Sequence, residues 1–466
     1  MTSLSPERTL NRNGLGAPGM HALRVRRMLF LGSAITAVTC LLWGTFFAVR
    51  GDWFIVAVDV ATITLAGTTA WLTYRGRLRA ASRLMLAMMY VVLCINAAVL
   101  DIPTAEVPRS THVFLLALGV VSCLLIRDET VWLRRGIPLV CFATYLVFAS
   151  SRIGWVTPFA MPDAVRSGGV WANNAVALIV VYLALHVIQN DVAERNVMEI
   201  ELRDALVHGE LLLHYQPQVA AGERVIGAEV LVRWNHPKRG MVSPGEFIPL
   251  AEQTGLMQPL GDWVMRTACA QLGVWRLRAQ TAQMLLAVNV SASQFAQPDF
   301  VARVLACVEQ AGADPSRLKL ELTESMLAHD LEDIIAKMTA LKARGIGFSL
   351  DDFGTGFSSL SYLRRLPLDQ LKIDQSFVRN MLDSPKEAAI AQALVSLGAS
   401  LGLQVIAEGV ETREQRDHLR KLGCDTYQGF LFSRPLGVLA FEELLAASVA
   451  EEAPPVHAAR AIASAA

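Results

Sequence analysis

Lysine is missing from the first 190 residues, which contain 16 arginines and only eight acidic residues. The rest of the chain has 26 basic and 34 acidic residues, so the formal charge is +8 for the first part and −8 for the second. Neither part contains a block of Lys and Arg, which argues against a nucleic-acid-binding segment. None of the seven cysteines belongs to a CxxC pair, so the sequence indicates neither a zinc site nor a disulfide framework.

The first part is instead rich in long apolar runs. Six of them lie at roughly 28–49, 53–74, 84–100, 113–126, 137–150 and 170–189. A helix that crosses a membrane needs about 20 apolar residues, so the fourth and fifth runs are short for a span. The pattern predicts a six-span membrane region over 28–190, preceded by a tail of residues 1–27.

The arginines predict how these spans are oriented. They concentrate before the first span and in the loops after the second and fourth spans, whereas the other three loops hold four in total. Because positively charged loops stay in the cytoplasm, we expect the N-terminus and everything after span six to be cytoplasmic. The protein is then a multi-pass protein of the inner membrane. Asp59 lies within the second run, where an acid is either functional or a helix-packing residue.

Beyond the last apolar run, the pattern changes to strand-like runs that alternate with amphipathic segments of helix length. Eight such runs in about 240 residues are typical of a (β/α)8 barrel. We therefore predict an α-helical membrane region followed by an α/β TIM-like barrel over 206–446. A linker helix, 191–205, continues the last span, and the alanine-rich tail 447–466 is predicted to be disordered.

Polar residues lie at or near the ends of the strand-like runs. The C-terminal ends of barrel strands meet on one face, so these side chains are expected to converge. They are Glu229, Asn289, Glu321, Asp351, Asp352, Lys372, Glu408 and Gln428. Acids at this density repel one another without cations, and oxygen ligands suit Mg²⁺ or Mn²⁺. Two such ions are a common arrangement for phosphoester cleavage.

The ordered motifs resemble those of the EAL-domain cyclic di-GMP phosphodiesterases. They are YQPQV, EVL, NVS, ELTE, DDFGTG, KID, EGVE and QGFLFSRP, within about residues 203–446. The namesake triplet at 229–231 reads Glu-Val-Leu, which keeps the glutamate. The resemblance implies hydrolysis of one bond of cyclic di-GMP to give linear pGpG, and a homodimer. The first part is similar in layout to six-helix membrane-associated sensor modules of bacterial signalling proteins.

The resemblance also implies roles for the polar residues. Two Mg²⁺ or Mn²⁺ ions would be bound by Glu229, Asn289, Glu321, Asp351, Asp352 and Glu408. Three residues would be catalytic. Lys372 would hold the attacking water, Gln428 would support a metal-bound water, and Glu408 would be catalytic in addition to binding metal.

Four further residues are expected around this group. By the resemblance, Gln216 and Arg233 would contact the dinucleotide. Glu324 would support the loop 353–363, which in such proteins couples the site to a dimer contact. Asp374 either supports Lys372 or caps the helix that follows it.

Two other functions remain possible from the sequence. The same barrel would act as a non-hydrolytic cyclic di-GMP receptor if it lacked part of the metal set, but every position that can be matched is filled. A transporter with a regulatory tail would need a polar path across the membrane, and the spans contain little besides Asp59.

The expected partners are cyclic di-GMP and membrane lipid, with no DNA or RNA polymer. His214 and His236 are interpreted as structural.

Overall fold

The computed structural model describes residues 20–452 apart from 128, 156, 325, 327–329 and 355–362. The chain divides into two compact units, Met1–Asn196 and Val197–Ala466.

The N-terminal unit is helical. Its helices are α1 (Met20–Arg50), α2 (Trp53–Tyr74), α3 (Leu78–Ile95), α4 (Val113–Leu125), α5 (Val131–Ser150) and α6 (Asp163–His208), and a π-helical turn, Asn96–Leu100, extends α3. Within the described ranges, five helices are long and apolar enough to cross a membrane. The predicted count of six is not confirmed, because α4 has 13 residues. At 1.5 Å per residue α4 is about 20 Å long, against a hydrocarbon core of about 30 Å.

Large apolar side chains lie on the outer surface of these helices. Leu41 and Leu42 of α1 are more than 60% exposed, whereas α2 buries the small residues Ala66 and Thr69. The buried hydroxyl of Thr69 donates to the carbonyl of Leu65 one turn earlier, at 3.0 Å. Small residues between helices and apolar ones outside are the arrangement expected of helices that pack within lipid.

A buried polar cluster holds the loop between α3 and α4. Asp101 Oδ2 accepts hydrogen bonds from the backbone N–H groups of Ser110 and Thr111, at 2.7 and 2.8 Å. Its Oδ1 accepts from Arg166 Nε at 2.9 Å. Burial opposes ionisation of Asp101, but these three donors outweigh it and lower the pKa of the carboxyl. The acid is therefore fully paired.

The second unit is an eight-stranded closed barrel with two short additional strands. The strands are β1 (Leu211–Ala220), β2 (Val225–His236), β3 (Gly240–Val242), β4 (Leu285–Val290), β5 (Leu318–Thr323), β6 (Gly347–Phe353), β7 (Gln370–Ile373), β8 (Gln404–Ala407), β9 (Thr426–Gln428) and β10 (Leu436–Gly437). Their order is β10-β1-β9-β8-β7-β6-β5-β4-β2-β3, and pairing of β1 with β2 closes the barrel. The barrel predicted from the alternating pattern is confirmed.

Helices cover the outside of the barrel. They are α7 (Pro244–Thr254), α8 (Met257–Arg276), α9 (Ala292–Phe295), α10 (Phe300–Ala311), α11 (Leu331–Lys342), α12 (Gln375–Asn380), α13 (Pro385–Leu401), α14 (Arg413–Lys421) and α15 (Val438–Glu452). Helix α15 extends to Glu452, so residues 447–452 are helical where the sequence predicted the start of a disordered tail. The rest of that predicted tail lies outside the described residues.

The barrel departs from a regular (β/α)8 order at its first strand. β1 runs antiparallel to both of its barrel neighbours, β2 and β9. The turn between β1 and β2 is closed by the Ala220 N–H, which donates to the carbonyl of Arg224 at 2.9 Å. A parallel crossover needs a dozen or more residues, so this short connection permits only a hairpin.

Alternation along the strands separates two environments. In β5, Leu318, Leu320 and Leu322 belong to the main hydrophobic core, whereas Lys319 and Glu321 do not. All five are buried. Because successive side chains point to opposite faces, the leucines pack against the helices and the charged residues face the barrel interior. The hydrophobic core thus lies between strands and helices, and the interior carries the polar groups.

Candidate active site

A bulge in β6 allows both neighbouring acids to lie at the mouth of the barrel. The register between β6 and β7 shifts between Leu350 and Phe353. Asp352 has a φ of 56°, in the left-handed region that aspartate tolerates better than most residues. Its N–H donates to Asp351 Oδ1 at 2.9 Å. The bulge breaks the strict alternation that would otherwise separate two adjacent carboxylates.

Lys372 on β7 lies at the centre of the site and is fully buried. Its Nζ is 2.6 Å from Glu408 and 2.7 Å from Glu321. Asp351 and Glu229 follow at 3.3 and 3.5 Å. Acids from four other strand ends therefore surround the one ammonium group.

One ammonium does not neutralise four carboxylates. Burial and the neighbouring acids raise the pKa of Glu321 well above its usual value, although Lys372 opposes the shift. Burial, together with Asp351 and Glu229, raises the pKa of Glu408 to about 8. Burial opposes the charge on Lys372, but the surrounding carboxylates raise the pKa of its ammonium. The raised pKa values mean that full ionisation of these acids requires a further cation.

The predicted metal ligands fit divalent ions by charge and chemistry. The donors are carboxylates and one amide, which hard cations prefer. The Oε1 atom of Glu321, in a residue only 1% exposed, has no hydrogen-bond partner within the structure's described ranges. No three acidic, histidine or cysteine side chains in those ranges are already arranged to hold a metal ion. The acids converge on Lys372 instead, so binding of a metal requires them to shift.

Amide side chains hold Glu229 in place. Gln428 Nε2 donates to Glu229 Oε2, and Asn289 Nδ2 donates to Glu229 Oε1, both at 2.6 Å. Gln428 also donates to Gln216 Oε1 at 3.2 Å. Burial opposes ionisation of Glu229, but Lys372 and these amides outweigh it and lower its pKa. Glu229 is the acid that this network keeps ionised.

The remaining predicted residues lie around the central group. Arg233 Nη1 donates to the neighbouring carbonyl of Val232 at 2.9 Å, and burial lowers the pKa of its guanidinium. Asp374 accepts from the Ser376 N–H at 2.9 Å and so caps α12.

Glu324 contacts the start of the loop that it was expected to support. Its Oε2 accepts a hydrogen bond from the Gly354 N–H at 3.0 Å. Most of the predicted loop 353–363, residues 355–362, lies outside the described residues.

Three residues that follow predicted site residues in the chain were not predicted from the sequence. Gln218, two residues after Gln216 on β1, donates to Gln428 Oε1 at 3.2 Å. Phe430 is 46% exposed, and the Arg434 guanidinium lies 4.4 Å from its ring centroid. The signal was present in YQPQV and QGFLFSRP, where these residues follow the polar ones that were chosen.

The family model of the EAL domain matches residues 199–435, half of the chain. The bifunctional diguanylate cyclase/cyclic di-GMP phosphodiesterase MucR of Pseudomonas aeruginosa is 46% identical over 247 residues, which are 53% of this chain and 36% of MucR. The cyclic di-GMP phosphodiesterase NbdA of the same organism is 45% identical over 261 residues, 56% of this chain and 33% of NbdA. The chain thus spans about a third of the length of these curated relatives.

Among solved structures, the MucR phosphodiesterase in complex with c-di-GMP is similar to the barrel. It is 45% identical, has a TM-score of 0.50, and the match covers 52% of this chain and 98% of that one. The matched region contains every predicted site residue, from Gln216 to Gln428. The chain belongs to the EAL domain family.

Proposed function

We propose that this chain hydrolyses cyclic di-GMP to linear pGpG. The observation that carries the proposal is the buried Lys372, within 3.5 Å of four carboxylates that come from different strands. A structural role alone would not need this excess of buried negative charge. The names of MucR and NbdA, and the c-di-GMP in the MucR complex, support this choice of substrate.

The site residues would hold two divalent ions, Mg²⁺ or Mn²⁺. The ligands would be Glu229, Asn289, Glu321, Asp351, Asp352 and Glu408. Such ions, when bound, supply Lewis-acid activation of water and neutralise charge on the phosphate.

The residues of the chain itself orient the reactants. Lys372 Nζ is a donor at the centre of the acids and would hold the attacking water, while Gln428 fixes the carboxylate of Glu229. Gln216 and Arg233 would contact the dinucleotide. The exposed ring of Phe430, with Arg434 above it, offers a stacking surface for a guanine base.

The N-terminal unit would anchor the enzyme in the inner membrane. The candidate spans support a membrane anchor. The distribution of arginines favours cytoplasmic placement of both the N-terminus and the barrel, which requires an even number of crossings. We also propose that the membrane region regulates hydrolysis and that the protein is a homodimer. Equal rates for full-length protein in lipid and for the isolated barrel under every stimulus tried would contradict this regulation. Light scattering that found only active monomers would contradict the dimer.

The test is hydrolysis of cyclic di-GMP by the purified full-length protein in detergent, with Mg²⁺ or Mn²⁺. Formation of pGpG is followed by chromatography, with and without a chelator. Glu229→Ala should lower the rate about 10³-fold, since removal of one preorganised charged group commonly costs that much. Glu309→Ala, which changes an exposed acid on α10, is the matched control and should keep the wild-type rate.

Each possible result decides between the functions. Metal-dependent pGpG that is lost in Glu229→Ala supports the phosphodiesterase. Tight binding of cyclic di-GMP without product would contradict hydrolysis and favour the receptor. Absence of both binding and product would show that the substrate is wrong.

A further inference from the structure

The last turns of α6 are part of the hydrophobic core of the barrel unit. Leu202 and Ala205 are 0% and 1% exposed, and they cluster with Trp234 of β2 and Phe247 of α7. The indole N–H of Trp234 also donates to Glu210 Oε2 at 3.0 Å, just beyond the helix. The end of α6 therefore packs directly against the C-terminal part of β2.

A charged contact joins the same two elements. Glu201 Oε2 lies 3.2 Å from His236 Nε2 and 3.4 Å from the Arg239 guanidinium. His236, only 3% exposed, is the last residue of β2. Glu201 is one residue before Leu202, so the ion contact and the apolar contact come from the same turn of α6.

Backbone hydrogen bonds fix the orientation of the His236 ring. Nδ1 accepts from the N–H groups of Lys238 and Arg239, at 3.0 and 3.2 Å. With Nδ1 engaged by the turn after β2, Nε2 is the ring nitrogen that lies on the side of Glu201. The turn after β2 thus orients the histidine for this one contact.

β2 carries two predicted site residues. Glu229 and Arg233 are four positions apart, and side chains at even spacing lie on the same face of a strand. Trp234 and His236 have the opposite parity and face α6. A displacement of the end of β2 toward or away from α6 would therefore move Arg233, which lies between these two contact residues and Glu229.

We infer that Glu201 is a positioning residue, which holds Arg233 in place for the substrate through His236 and the end of β2. The inference rests on the proposed binding of cyclic di-GMP and adds a residue to it.

The test uses the full-length protein in lipid nanodiscs, with steady-state hydrolysis and calorimetric binding of cyclic di-GMP. Glu201→Ala should raise KM and Kd about fivefold and leave kcat nearly unchanged, because misplacement of a remote support affects binding through Arg233. Glu201→Gln keeps the length of the side chain and a polar oxygen beside His236, and it should restore the wild-type KM.

Glu199→Ala is the matched control. Glu199 lies on the same helix and pairs only with Arg203 of α6, at 3.3 Å, among the residues that the structure describes. It should leave KM and Kd unchanged. Equal KM and Kd in Glu201→Ala and wild type would overturn the inference. So would a fall of kcat and melting temperature with unchanged KM, which indicates a purely structural role.

The two proposals fail in different ways. If the wild type binds cyclic di-GMP but forms no pGpG, hydrolysis is wrong, and the Kd of Glu201→Ala still tests the inference. If the wild type binds no cyclic di-GMP, the proposed substrate and this inference both fall.

Discussion

Each unit of the molecule buries a carboxylate beside a cation, but the two carboxylates differ in their hydrogen-bond partners and in the direction of their pKa shifts. Asp101 in the helical unit accepts two backbone N–H groups and one arginine, and its pKa is lowered. Glu321 in the barrel shares one lysine with three other acids, and burial and these acids raise its pKa. The surroundings of Asp101 favour its ionised form, whereas those of Glu321 disfavour it.

We propose that this difference separates a structural acid, Asp101, from a functional one, Glu321. A buried charge that serves stability is paired and hydrogen-bonded until little negative potential remains. Functional sites instead keep charge that only a ligand can neutralise, and they show perturbed pKa values for that reason. The predictions below test this contrast, from the largest expected effect to the smallest.

Lys372→Met should have the largest effect. It removes the only cation that contacts all four acids among the described residues, so pGpG formation should fall about 10³-fold, within the usual range for loss of a proton-handling group. Without metal, the free energy of unfolding should fall by about 3–5 kcal/mol, and Mg²⁺ or Mn²⁺ should restore much of it. Hydrolysis rates and thermal unfolding with and without metal provide the measurements.

A second buried lysine offers the control for this change. Lys337 on α11 donates to the Phe295 carbonyl at 2.9 Å and pairs with Asp333 at 2.7 Å, an acid outside the candidate site. Lys337→Met should lower stability without a metal-dependent recovery and without loss of hydrolysis per folded molecule. Activity of Lys372→Met within tenfold of wild type would refute the role of Lys372.

Arg166→Ala should affect stability but not the chemistry. Arg166 is 5% exposed and pairs with Asp101, so its loss should lower the free energy of unfolding by about 3 kcal/mol. Arg166→Lys keeps the positive charge but not the planar guanidinium. Its free energy of unfolding should lie between those of the wild type and Arg166→Ala. The melting temperature in detergent tests this; a selective loss of pGpG formation at unchanged stability would argue that Asp101 is functional.

Asp374→Ala should have the smallest effect and decides between its two predicted roles. Loss of the cap on α12 should cost about 1 kcal/mol of stability, and Asp374→Asn should retain most of it. Because the carboxylate bonds the helix N-terminus, kcat should change little. A tenfold fall in kcat for Asp374→Ala, with a normal melting temperature, would instead assign it to the support of Lys372.

Features that depend on local pattern were predicted from the sequence. The alternation in LKLELTES predicts a strand with buried leucines and a polar end, and β5 has this pattern. The antiparallel β1 was not predicted, although the short turn between β1 and β2 allowed it to be recognised. A sixth span at α4 is not confirmed, because this apolar run and its helix are both shorter than a membrane crossing needs.

By itself, the sequence determined the two-part organisation, the barrel and the set of residues at its strand ends, because periodicity and composition are local properties. Only the tertiary structure decided that Lys372 lies among four carboxylates, that a bulge turns Asp351 and Asp352 to the same mouth, and that Glu201 reaches His236. These contacts join residues far apart in the chain or depend on strand register. Spacing along the chain does not show which of these residues are close in space, because their distances depend on closure of the barrel.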